Sequence, residues 1–574
     1  MQSIIYMIFV SMKKAIFVAT LFLSLSDILA QTEKPKGFEN SSHELISGTN
    51  IKLLPASKLS IDPEVPKTET PKITLKFDIP EYVWNTKKLI QNIDPDKIKE
   101  KSSDSIFLSN YIRLGGGNNT HILGEVYLSN KPNSQWAYYF NANHIQANNA
   151  AIDQKFGNTK VQLGGSRFYK NSSLSSSLFY HFDKTSFYAK DSMLRLPELQ
   201  NSGQGKIGMD GKNSNTYGVN IDYVSLASGK KPEFKLLNRV IQFQTNLLHN
   251  ELELGSTLKV LKNFKNLSVF GDLEFTQISS TQTHNFMNTE KYKTELSQYF
   301  IDIKPRVQFY HKATDLDVNL GVNATINNNK NQPDRTFVIN PTVQLEKGLK
   351  GLEMKVYGAI DGGLIKNSIR RMNDIMPFFA DTLSIKNTYQ QLNGYIGIKG
   401  KIAGNSQFSI DFGSNSMADM LQFVTDDTKN NLDSLNLLKP MYLTSVSSVY
   451  FRAFVQYHMG ETFKLSANLR INQFDVKNQT LYNIPSLTYN LNAEYLPHHN
   501  VLIKLGMQGI GRRNERSGDY RGFNDLFARI DYRFGGKGRI WVQGSNLLNQ
   551  EYDTWYGYRA FGLTVIGGIS LAIF

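Results

Sequence analysis

The feature that most constrains this chain is alternation with a period of two, sustained for about nine residues or more at a time. In 315–327, Leu316, Val318, Leu320, Val322, Ala324 and Ile326 share one face, while Asp315, Asp317, Asn319, Gly321, Asn323, Thr325 and Asn327 share the other. In 301–309, Ile301, Ile303, Pro305, Val307 and Phe309 oppose Asp302, Lys304, Arg306 and Gln308. In 463–472, Phe463, Leu465, Ala467, Leu469 and Ile471 oppose Lys464, Ser466, Asn468, Arg470 and Asn472. Near the end, Leu526, Ala528, Ile530, Tyr532 and Phe534 oppose Arg529, Asp531 and Arg533. Side chains alternate faces along a strand, so each stretch is a strand with one apolar and one polar side. Ordinary strands run to about 5–6 residues. Strands that cross a membrane need about 9–11.

A soluble sandwich or solenoid would also alternate. The connections argue for a membrane barrel instead, because they are short and long in turn. Short ones fall at 170–173, 311–314, 347–351, 403–405, 460–461, 497–499 and 535–538. Longer polar ones lie near 147–157, 187–213, 279–294, 367–386, 413–446 and 510–521. Outer-membrane barrels pair short periplasmic turns with longer outer loops in this way. A solenoid would repeat with a period of about 20–50 residues, and no such repeat is present. The fold class expected is all-β, a large antiparallel transmembrane β-barrel of about 22 strands. The first lies near Phe107 and the last near Phe561, and 20 strands remain open because 230–262 is weakly patterned. A ring of about 22 is wide enough to hold a plug. Trp136, Tyr450, Trp541, Trp555 and Tyr556 at strand ends suit interfacial aromatic girdles, although each would equally suit loop packing.

Composition supports export. None of the 574 residues is cysteine, which excludes disulfide frameworks, cysteine-ligated zinc, iron–sulfur clusters and thiol nucleophiles. Past residue 30 there is no apolar run of about 18 residues, so transmembrane helices are not expected. Residues 1–30 read as a signal peptide whose true start is Met12: Lys13 and Lys14 precede the apolar Ala15–Leu25, and Ala30 precedes the cut. Residues 31–103 hold seven of the 17 prolines, from Pro35 to Pro95. Proline at that density favours extended chain. The segment reads as an arm, either flexible in the periplasm or folded into a barrel lumen. The barrel takes 104–574.

The C-terminus carries a more specific pattern. It runs Arg539-Ile-Trp-Val-Gln-Gly-Ser-Asn-Leu-Leu-Asn549, then Tyr552, Gly557-Tyr558 and a strand ending at Phe574. This resembles the last two strands of TonB-dependent receptor barrels, with their Asn-Leu-aromatic-Asn/Asp turn, Tyr, Gly-Tyr pair and terminal aromatic. Arg559-Ala560-Phe561-Gly562 stands where that family has Pro-Gly-Arg, and Leu563–Phe574 is apolar on both faces apart from Thr564 and Ser570. A family plug takes well over a hundred residues, more than 31–103 provides. The resemblance therefore implies the receptor barrel without its plug, located in the outer membrane. Its expected function is passage of solute as a channel or transport component. The alternative is a non-transporting barrel subunit of an outer-membrane assembly, secretion or uptake complex, which the apolar last strand favours because water-filled lumens are polar. The resemblance also makes Phe574 the barrel-assembly signal. Expected partners are outer-membrane lipids and lipopolysaccharide, the barrel-assembly machinery through the last strand, and a lipoprotein or other complex subunit.

Catalytic motifs are absent: no Gly-x-Ser-x-Gly elbow, His-Glu-x-x-His helix or phosphate loop occurs, and no enzyme activity, cofactor or metal site is expected. His498-His499 reads as a solvated turn and Asp426-Asp427 as a solvated loop. Gly115-Gly116-Gly117 reads as a tight strand-to-strand turn. Arg512, Arg513 and Arg516 cluster in an outer loop as candidates for an anionic ligand, since arginine forks suit phosphate and carboxylate. Lumen-facing candidates carry both signs: Asp302, Asp315 and Asp317 against Lys304, Arg306, Lys464 and Arg470. The net charge of +14 is spread over the chain. Together with export this leaves no nucleic-acid partner.

Overall fold

The structure, a computed structural model, describes residues 110–573 except 131–134, 150–153, 188–210, 226–231, 265–266, 286–290, 380–382, 403–405, 426–437, 461, 516–517 and 536. The signal peptide, the arm, Asp426-Asp427, Arg516 and Phe574 lie outside the described residues.

In chain order the strands are β1 (Tyr111–Gly117), β2 (His121–Ser129), β3 (Trp136–Asn149), β4 (Gln154–Tyr169), β5 (Ser172–Ser186), β6 (Gly211–Ser225), β7 (Glu233–Thr245), β8 (His249–Asn263), β9 (Leu267–Asn285) and β10 (Lys291–His311). There follow β11 (Leu316–Asn327), β12 (Phe337–Gly348), β13 (Met354–Ile365), β14 (Thr388–Lys401), β15 (Gln407–Ala418), β16 (Met420–Thr425), β17 (Leu438–Leu443), β18 (Val446–Met459), β19 (Phe463–Val476) and β20 (Leu487–His498). The last are β21 (Val501–Ile510), β22 (Arg513–Glu515), β23 (Gly518–Tyr520), β24 (Phe523–Phe534), β25 (Gly538–Ser545), β26 (Asp553–Trp555), β27 (Tyr558–Arg559) and β28 (Thr564–Ala572). One helix of two turns, α1, spans Ile369–Ile375.

Three pairs, β16–β17, β22–β23 and β26–β27, are separate hairpins within long connections. The other 22 strands form one antiparallel sheet. It closes because β1 pairs with β28, Tyr111 opposite Ala572 and Gly117 opposite Ile566. The stretch 230–262 supplies both β7 and β8, paired in register from Glu233 with Leu261 to Gln244 with Asn250, which settles the count at 22.

Facing follows the sequence period. Leu320 is 50% exposed on the outside of the ring, while Thr325 and Asn327 on the alternate face of β11 are buried inside. The outer face of the β9–β10 hairpin also records the membrane boundary. Val269, Leu273 and Phe275, beside Val307 and Ile303, are exposed and apolar, whereas further along the same face come Gln277, Ser279 and Thr281 beside Ser297 and Glu295. At 21 residues β10 is about 70 Å long, far more than an apolar band of about 25 Å requires. This wall therefore rises above the bilayer.

Several sequence expectations change. The long connections expected near 147–157 and 279–294 are largely strand, because β3, β4, β9 and β10 extend past the bilayer. Gly115–Gly117 belongs to β1, and the turn is Asn118–Thr120, where Asn119 and Thr120 take the left-handed conformation. Of the expected girdle residues Trp136 is exposed, but Tyr450 and Trp541 point into the lumen and Trp555 is buried in the outer connections. The exposed rings at the short-turn rim include Tyr138, Tyr495 and Tyr532 instead. The lumen side of β28 carries Thr564, Ile566, Gly568 and Ser570, so Ile566 is its one large apolar side chain there, packed with Leu123, Ile145 and Trp541. The Trp541 ring lies over the two strands at the seam. A Cβ on Gly115 would come within 2.6 Å of it, and one on Gly568 within 2.8 Å.

Candidate functional site

The long-loop end of the barrel is closed by a lid. Its centre is the connection between β13 and β14, residues 366–387. Ser368 caps α1 by accepting a hydrogen bond from the Arg371 amide at 3.2 Å. Ile369 and Met372 share a face at helical spacing, and Met376, Phe378 and Phe379 follow, so that nearly every apolar residue of the segment is sequestered. Ile369, Met372, Met376 and Phe379 are all 0% exposed. Burying side chains of this size stabilises the lid by about 1.5–3 kcal/mol each.

The segment reaches across the lumen. Ile375 and Phe378 stand with Gln154 and Thr185 around a cavity of about 70 Å³. Those two residues belong to β4 and β5, nine places from β13 and β14 around the ring. On the way, Lys212 of β6 places its Nζ 3.8 Å from the centre of the Phe379 ring. Phe378 stacks on Tyr558 of β27 with ring centres 3.5 Å apart. Phe423 of β16 meets the edge of Trp555 of β26 at 6.0 Å. Three outer connections thus share one apolar core.

Polar contacts moor the segment at both ends. At its start the Lys366 Nζ lies 2.6 Å from Asp302 Oδ2 and 3.0 Å from Glu274 Oε1. The Ile369 amide donates to Glu251 at 2.7 Å, and the Arg370 guanidinium pairs with Glu253. Burial opposes the charge of Arg370, yet Glu253 prevails and raises its pKa, while burial beside Arg370 lowers that of Arg371. At its far end Gln332 and Asn387 exchange two hydrogen bonds, at 2.6 and 2.9 Å. Asp419 accepts from Gln332 and Arg335, both at 3.1 Å.

The C-terminal motif builds the neighbouring part of the lid. Asn546 and Asn549 both take positive φ. The Asn546 amide side chain donates to the carbonyls of Gln550 and Phe561, each at 3.0 Å, and Asn549 accepts from the Leu563 amide at 3.0 Å. Tyr552 stacks on Phe523 at 3.8 Å and donates its hydroxyl to Asp525 at 3.0 Å. Burial, reinforced by Asp525, pushes the Tyr552 pKa up. Burial also raises that of Asp553.

Arg513 is 2% exposed and donates to the carbonyls of Thr554 and Asp553 at 2.7 and 2.8 Å, so its fork anchors one lid hairpin to another. Arg512 beside it is exposed. Asp302, Lys304 and Arg306 lie on the inner face of β10, where Arg306 meets Asp272 at 2.6 Å and Lys304 meets Glu274 at 3.7 Å. Asp317 accepts two hydrogen bonds from Gln308. Asp315 belongs to the turn before β11, with φ of 46° and a hydrogen bond from the Tyr310 hydroxyl at 3.0 Å. Lys464 is exposed near the short-turn rim, and Arg470 lies at mid-strand on β19. His498 and His499 lie side by side at a turn, ring centres 3.9 Å apart and tilted by 43°. Among the described residues no three His, Asp or Glu side chains gather to hold a metal.

Sequence reading missed Glu251, Glu253, Glu274, Lys366 and Arg370. The available signal was the run Ile369, Met372, Met376, Phe378 and Phe379, too apolar for a solvated loop.

No family model and no curated protein matches this chain. Solved structures do. The copper transporter OprC aligns at 10% identity with a TM-score of 0.60, over 80% of this chain and 79% of that one. The ferric-catecholate import receptor Fiu of E. coli K12, in its closed form, aligns at 10% identity with a TM-score of 0.61, over 81% of each chain. The FrpB iron transporter of Neisseria meningitidis gives 9% identity and a TM-score of 0.61, also over 81% of each chain. The likeness is one of fold, that of the TonB-dependent receptor class: a closed 22-strand barrel of the outer membrane.

Proposed function

We propose that the barrel is a solute-transport component of the outer membrane, passing solute through a polar lumen that its own outer connections close. The observation that carries this reading is the lid. A connection that crosses the lumen on an apolar core, yet is moored to the wall by ion pairs such as Lys366–Asp302, is built to be held shut and to be released. A scaffold needs no such seal. The apolar last strand, which favoured the scaffold reading, is accounted for by the packing of Trp541 against Ile566. In this reading 31–103 is an arm, not a plug, and closure rests on the outer connections.

Planar-bilayer recording tests it. Replacing 369–385 with a Gly-Ser bridge is expected to raise single-channel conductance several-fold over the full chain. Conductance unchanged by that replacement, by deletion of 32–100 and by the two combined would overturn the transport reading.

A further inference from the structure

Below the lid, on the inner wall, Arg452 of β18 and Arg470 of β19 stand directly opposite each other in register. Like charges so placed oppose strand pairing. Two other arginines of the inner wall are each answered by an acid: Arg113 meets Glu125 at 2.9 Å, and Arg529 takes both oxygens of Asp531 at 2.8 Å. Here there is one carboxylate for two cations. Arg452 Nε donates to Asp411 at 2.7 Å, and Asp411 also accepts from the Tyr357 hydroxyl at 2.9 Å. Among the described residues no carboxylate lies within ion-pair distance of Arg470, whose Nε donates to the amide oxygen of Asn472 at 2.9 Å.

Both guanidinium groups are held in place. Each lies 5.1 Å from the centre of the Tyr450 ring, and the Tyr450 hydroxyl is fixed by donation to Asn393 at 2.8 Å. Arginine carries five N–H donors, so one bond to Asn472 leaves the terminal fork of Arg470 able to take two parallel bonds from a single oxyanion. The side chain is only partly buried and is reached from the lumen. Water would hydrate that fork without offsetting the opposition of Arg452. An anion would do both.

We propose that Arg470, supported by Arg452 and stacked on Tyr450, is a lumen subsite for solutes that carry a carboxylate or phosphate group. The proposal rests on the transport reading and gives it a substrate class.

The test is calorimetric titration of the full-length protein in detergent with citrate, inorganic phosphate and, as the neutral probe, sucrose. Citrate or phosphate is expected to bind saturably and sucrose not at all; whichever anion binds distinguishes carboxylate from phosphate recognition. R470Q should weaken binding at least tenfold. R470K, which keeps the charge but loses the fork, should weaken it by a smaller factor and controls for folding. Absence of saturable binding by either anion, or R470Q binding as the parent does, would overturn the subsite. Binding is read without flux, so a barrel that binds citrate yet conducts nothing in any lid variant overturns transport and leaves the subsite standing.

Discussion

Lys366 and Asp302 meet at 2.6 Å, and that contact ties the connection that crosses the lumen to the tenth strand of the wall. The Asp302 side chain is 3% exposed, so Lys366→Met would leave it buried and without its cation. Removing one partner of a buried pair costs on the order of 3 kcal/mol. The expected outcome is faster hydrogen exchange over 369–379 and larger bilayer conductance, with the barrel strands still protected. Adding Asp302→Asn should recover part of the loss, as coupling between contacting residues requires. Exchange at the parent rate would mean that the apolar core alone holds the lid.

Facing on β11 gives a second prediction. Leu320 is exposed on the outside of the ring, and Asn319 lies on the inner face. Leu320→Arg should destabilise the barrel in lipid by about 2–4 kcal/mol. Asn319→Arg, in a polar lumen, should be mild. Denaturant unfolding in lipid vesicles reads both, and equal losses would invert the assignment of faces.

The seam supplies a third. Gly115→Ala would bring a methyl group within 2.6 Å of the Trp541 ring, and Trp541→Phe should relieve the clash, so the double variant is expected to unfold at a higher temperature than Gly115→Ala alone. At Gly568 the nearest obstacle is the Leu114 carbonyl, which a Cβ there would approach to 2.0 Å, and Gly568→Ala should not be rescued by Trp541→Phe. Thermal loss of heat-modifiable mobility distinguishes these cases.

Acid should tighten the lid at Asp553. Burial raises its carboxyl pKa above the ordinary 3.8, so the folded lid binds this proton more readily than the opened chain does. The contribution is fully present below that ordinary value and is lost as pH rises through the higher folded one. Hydrogen exchange over 553–559, corrected for intrinsic rates, should therefore report easier opening at neutral pH than in mild acid. Asp553→Asn should remove the dependence, and a persistent dependence would place the titration elsewhere.

The strands were legible because lipid outside and water inside impose a two-residue period that nothing local overrides. Leu316 to Ile326 and Asp317 to Asn327 sort onto their two faces by chemistry alone. The lid was not legible. Ile369, Met372 and Phe379 are apolar without a strand period, and their partners Phe423, Trp555 and Tyr558 are distant in sequence. Arg513 shows the same limit: one cationic side chain reads as surface charge until the Thr554 and Asp553 carbonyls are found beneath it. In sequence Trp541 suits an interfacial girdle or loop packing equally, because the glycines that admit it into the lumen, Gly115 and Gly568, lie at opposite ends of the barrel sequence.

Those two glycines sit on strands whose pairing joins Tyr111 to Ala572, and that pairing has a price in chain entropy. Closing a loop of roughly 460 residues costs about 5 kcal/mol by the logarithmic law for flexible chains. Seven pairs of residues must offset it. No other neighbouring strands in the ring are separated by more than a small fraction of that distance along the chain. The ring can therefore be completed only after β28 is synthesised, and on unfolding it has every reason to part first along this line.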